Sequence, residues 1–99
     1  MIELHFICRL PKREGWSKDG DIFSSRAWAV TDQVAQEAVG GRIYLHDSQS
    51  EAAWHGGTVI DWHSDGFEPA RKVFRYVVDG DFRHFCPDGW GMEKAIVRR

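Results

Sequence analysis

Ninety-nine residues suffice for one hydrophobic core and not for two. An apolar share of 42% and a charged share of 28% are those of an ordinary globular chain, and a formal net charge of −2 excludes the broad positive field of a general nucleic-acid binder. Five Trp among 13% aromatic residues stand out, because Trp supplies a large rigid surface for a core or for a binding face.

Residues 2–9, IELHFICR, alternate so that Ile2, Leu4, Phe6 and Cys8 share one face and Glu3, His5 and Arg9 the other, with Ile7 the exception. That period of two predicts a half-buried strand. LPKREGWSKDGD follows and reads as one loop of about a dozen residues, long enough to suggest function. The segment 22–30, IFSSRAWAV, predicts a second strand. A short helix of about two turns comes next: Thr31 or Asp32 caps it, Val34, Ala35, Ala38 and Val39 form its apolar stripe, and Gly40-Gly41 stops it.

RIYLH (42–46), TVIDWH (58–63), KVFRYVVD (72–79) and the closing EKAIV (93–97) read as further strands. SDGFEPA and GDFRHFCPDGWG are the loops between them. The order of strand, strand, helix and then three or four strands predicts one α+β domain over residues 1–99. Its expected architecture is a small curved mixed sheet or a β-barrel, with one short helix after the second strand.

Cys8 and Cys86 stand far apart with no second pair, so no disulfide framework is expected. No signal peptide is read at the N-terminus, and no apolar run approaches the roughly 18 residues of a membrane span. These features set the expectation of a cytoplasmic chain with no membrane partner.

Residues 39–66 hold three His, two Trp, one Tyr and five Gly. A hairpin with well-packed aromatics explains such a stretch, and so does one wall of a pocket that stacks a flat ligand. In the first explanation Asp47, Ser48 and Ser50 only form a turn. In the second, His46 and Ser48 offer hydrogen bonds, Trp54 forms a wall and Gly56-Gly57 let backbone approach the ligand. Trp28 and Trp62 lie in strand-like segments and read as core, whereas Trp16, Trp54 and Trp90 lie in loops beside glycines.

Other chemistry is less well specified. His84 and Cys86, with His46, His55 and His63, lack the ligand spacing of a structural zinc site, and no metal or cofactor is assigned. Ser48 or Ser50, His46 or His55, and Asp47 or Asp61 hold the parts of a nucleophilic triad without the strained Gly-x-Ser-x-Gly turn, and no catalytic residue is assigned. Lys94 beside Glu93 reads as a surface pair, since strand neighbours point to opposite faces.

The run AVGGRIYLHDSQSEAAWHGGTVIDW resembles PUA-like domains, especially their EVE and ASCH branches, over about residues 24–63. The resemblance lies in the order of short helix, Gly, strand with an aromatic-His/Ser exit, and Gly-initiated next strand. It implies a small β-barrel with a pocket for a base or modified nucleotide, lined by Trp28, His46, Ser48 and Trp54 and covered by Trp90. Some ASCH-type relatives are nucleases or amidohydrolases, but the Lys-Thr-Glu set they use is not placed here.

The expected function is therefore a binding module for a nucleobase, modified nucleotide or nucleic-acid end, with Arg26, Arg42 and Arg71 near phosphates. Two alternatives stand beside it. One is a protein-interaction or inhibitor module that docks on a larger complex, and the other is a small nuclease or amidohydrolase.

Overall fold

The computed structural model describes residues 2–8, 16–68, 70–86, 90–91 and 94–98. Seven strands and one helix follow in the order β1 (Ile2–Ile7), β2 (Trp16–Asp19), β3 (Ile22–Trp28), α1 (Asp32–Ala38), β4 (Arg42–His46), β5 (His55–Ser64), β6 (Lys72–Val77) and β7 (Lys94–Arg98). All strands join one mixed sheet in the spatial order β2-β3-β6-β5-β4-β1-β7. Among the described residues only β1 and β4 run parallel, and every other pairing is antiparallel. Among the described residues the sheet is open, with β2 and β7 at its edges. The fold is thus α+β with a mixed sheet, the open member of the two expected architectures.

The helix follows the third strand and not the second, because WSKD, read as loop, pairs with β3. Its four residues are too few and too polar to show alternation. The signal that was present is the Gly20-Asp21 turn, with Gly20 at φ +61°, which joins two strands separated by two residues. β5 likewise begins at His55, three residues earlier than expected, because Gly56 and Gly57 pair with Tyr44 and Ile43.

The helix forms as expected. Thr31 caps it, its hydroxyl accepting from the Val34 amide at 3.2 Å, and Ala35 and Ala38 are fully buried against the sheet. Gly40 takes φ +84° beyond the helix end, and its amide donates to the Val59 carbonyl. Small Ala side chains let α1 lie close on β1 and β5. Beneath it Leu4, Phe6, Ile43, Leu45, Val59 and Phe74 form the core.

The opposite face of β1 was expected to meet solvent, yet His5 is fully buried and Ile7 nearly so. Trp90 packs on His5 there, and His84 packs on the neighbouring Tyr44. Arg42 donates to the Asp79 carboxylate at 2.5 Å, to the Thr58 hydroxyl at 3.0 Å and to the Asp81 carbonyl at 3.3 Å. Ala53 N–H donates to the His84 carbonyl, and the Gln49 amide donates to the Gly91 carbonyl.

Candidate functional site

The carboxyl ends of β1 and β4 lie side by side, with Ile7 in register with His46 and the Cys8 amide donating to the His46 carbonyl at 2.8 Å. In open α/β sheets the carboxyl ends of parallel strands are the customary ligand position, because loops there diverge above the sheet. Rings gather around this end on both faces.

On one face, register places His5, Tyr44 and His46 together. His5 and His46 are both shut off from solvent, and His5 Nδ1 lies 2.8 Å from His46 Nε2. His46 Nδ1 stands 2.8 Å from the Glu51 carbonyl, which can only accept, so this nitrogen carries a proton. In the neutral ring Nε2 is then the acceptor, and His5 Nδ1 donates to it. Burial lowers the His46 pKa below its ordinary value and so favours that neutral form, although the Glu51 carbonyl works the other way. His5 Nε2 faces the Glu3 carboxyl at 3.3 Å.

Aromatic rings close this cluster. Tyr44 stacks on His5 at 4.9 Å between centroids, and His84 packs on Tyr44. Trp90 stands nearly perpendicular to both imidazoles, 6.1 Å from His5 and 5.2 Å from His46. Its indole N–H is buried with no acceptor among the described residues.

On the other face a second cluster surrounds His55, which pairs in register with Leu45. Trp16, Phe23, Trp54, Tyr76 and Phe82 have centroids 4.5–5.8 Å from its ring. Trp16 Nε1 donates to the Tyr76 hydroxyl at 2.8 Å, and that hydroxyl lies 2.7 Å from His55 Nδ1. Burial raises the Tyr76 pKa although the Trp16 N–H works the other way. The phenol therefore stays protonated. All these ring separations are below the roughly 7 Å that a sandwiched ligand needs, taking two stacking steps at van der Waals contact. A flat ligand therefore does not fit between His55 and any of these rings.

The residues expected to line one pocket are thus divided. His46 and Trp90 meet. Ser48 lies in the turn just beyond β4, its hydroxyl 3.3 Å from that of Ser50. Trp54 sits on the other face, its indole N–H donating to the Cys8 carbonyl at 2.9 Å. Trp28 belongs to the core: it stacks on Phe6 at 4.2 Å and donates to the Ser25 hydroxyl. Gly56 and Gly57 serve strand packing, since a Cβ at each would lie 2.3 Å from the Ile43 carbonyl oxygen and 1.9 Å from that of Val77.

The three arginines expected near phosphates are each ion-paired. Arg26 meets Asp65 at 2.6 Å, Arg42 meets Asp79 at 2.5 Å and Arg71 meets Glu68 at 2.7 Å. Of the Ser–His–Asp parts, His46 has both ring nitrogens engaged and Asp61 is held by Arg75 in a bidentate pair. Lys94 donates to the Ala29 carbonyl, and Glu93 lies outside the described residues. No group of three metal-ligating side chains forms among the described residues. No helix is long and apolar enough to cross a membrane.

The residue sequence reasoning missed is His5. Its period-two position made it a solvent-facing strand residue, and nothing local announces a partner 41 positions away. Tyr44 and Glu51 were missed for the same reason. No family model, curated protein or solved structure matches the chain.

Proposed function

We propose that the chain is a small binding module that recognises a flat heteroaromatic group, namely a nucleobase, modified nucleotide or nucleic-acid end. The observation that carries this reading is the gathering of Tyr44, Trp90, Trp16 and Trp54 around the carboxyl ends of the parallel pair β1 and β4. Of these, Trp16, Trp54 and Trp90 are partly exposed, and such rings with a few polar atoms suit stacking, at about 1–3 kcal/mol per base. The order α1, Gly40-Gly41, β4, turn and β5 is compatible with the PUA-like reading of residues 24–63, which belongs to this proposal. Because Arg26, Arg42 and Arg71 already have carboxylate partners, recognition rests on stacking and hydrogen bonds more than on phosphate charge.

The test is a Trp fluorescence titration with the four nucleosides and short single-stranded oligonucleotides, repeated in Trp90→Phe and Trp54→Ala. Saturable quenching that weakens in one variant, with circular dichroism unchanged, supports the reading. No response from any ligand overturns it.

A protein-interaction module is the second reading, favoured by the ring of Phe67. It is 86% exposed at the β5–β6 tip, with the Arg26 guanidinium 5.4 Å from its centroid. A tip that presents an exposed ring is what a partner's apolar pocket would take.

A further inference from the structure

We infer that Trp90 is the specificity-determining donor of this site, giving its indole N–H to a ring carbonyl oxygen of the bound base; this rests on the base-binding reading above. The argument is one of elimination among donors. His46 Nδ1 is spent on the Glu51 carbonyl, His46 Nε2 on His5 Nδ1, and His5 Nε2 faces the Glu3 carboxyl. None of these is open to a ligand unless the buried relay is broken. Trp90 Nε1 is the one buried side-chain nitrogen or oxygen among the described residues with no hydrogen-bond partner. An indole N–H can only donate, and a buried donor left unmade costs free energy that a ligand acceptor would restore.

Charge narrows the acceptor class. The Glu3 carboxyl belongs to the same cluster, and the guanidinium nearest Tyr44, that of Arg42, is held by Asp79, Thr58 and the Asp81 carbonyl. With the Arg42 guanidinium already committed, the Glu3 carboxyl disfavours a phosphate or carboxylate against a neutral oxygen. A ring carbonyl, as in thymine, uracil or guanine, meets that requirement and leaves the ring plane free to stack.

The experiment compares thymidine with its difluorotoluene isostere, which keeps the shape and lacks strong acceptors. The native protein is expected to bind thymidine about tenfold or more tightly, the worth of one hydrogen bond. Trp90→Phe is expected to bind the two alike. In the native protein the indole N–H proton resonance of Trp90 should move downfield on adding a carbonyl-bearing nucleoside that binds, a readout that does not need the variant to fold. If thymidine and isostere bind the native protein equally, if only adenosine binds, or if the indole resonance does not move on binding, the donor assignment is overturned while base binding stands. If no nucleoside binds, both fall.

Discussion

His5 Nδ1 and His46 Nε2 face each other at 2.8 Å with both rings fully buried, joining the two parallel strands through their side chains as well as their backbones. One proton lies between them, and the Glu51 carbonyl decides which ring supplies it.

Breaking the pair should therefore be costly. His46→Leu leaves both the His5 donor and the Glu51 carbonyl without their partner, and each buried polar group so stranded costs about 1–3 kcal/mol. Urea unfolding should show a loss of that order, and the double variant His5→Phe with His46→Leu should lose less than the sum of the singles. Strict additivity would mean that the two rings do not interact.

Acid should weaken the fold. The unfolded His46 imidazole takes up a proton near its ordinary pKa of 6.5, whereas burial lowers the folded value. Below that pH the unfolded state binds more protons, so stability rises with pH and is lost on acidification. His5 faces that ring and the Glu3 carboxyl faces His5, so the readout is a comparison. The melting temperature of the native chain should fall between pH 7 and pH 5 more steeply than that of His46→Gln. Asp65 adds to the trend at lower pH: burial opposes its ionisation, but the Glu68 amide and Arg26 hold its carboxylate below the ordinary range.

Trp28 and Trp54, placed together by sequence reasoning, should separate in experiment. Trp28→Ala removes a core ring stacked on Phe6 and should cost about 3–5 kcal/mol. Trp28→Phe, which keeps a ring on Phe6, should leave base affinity within about twofold, the change expected of a residue making no contact with the ligand. A large affinity loss in Trp28→Phe with stability retained would move the site into the core.

Gly57 and Gly66 offer a paired test of close approach. Gly57→Ala places a methyl group 1.9 Å from the Val77 carbonyl oxygen and should destabilise by the upper part of about 1–3 kcal/mol or more. Gly66→Ala meets nothing within 4 Å and should stay within about 0.5 kcal/mol of the native protein. Equal unfolding midpoints would contradict the close β5–β6 contact.

Arg42 should govern how firmly segment 79–86 lies on the sheet. Arg42→Met removes the hydrogen bonds to Asp79, Thr58 and Asp81, and exchange of the Ala53 amide, bonded to the His84 carbonyl, should speed by about tenfold. The Val59 amide, bonded to Gly41, serves as the control and should be unaffected.

The sequence by itself determined what is local. Period-two alternation in IELHFI, RIYLH and KVFRYV marks strands, and Thr31 with the Ala35–Ala38 stripe marks the helix, because backbone geometry repeats over a few residues. Only the tertiary structure decided that β1 pairs with β4, that Trp54 and His46 lie on opposite faces, and that His5 is buried. Those outcomes depend on which strand lies beside which and on what segment 79–86 covers. A one-residue change of register would turn His5 and Tyr44 to the other face, and no local pattern records the register.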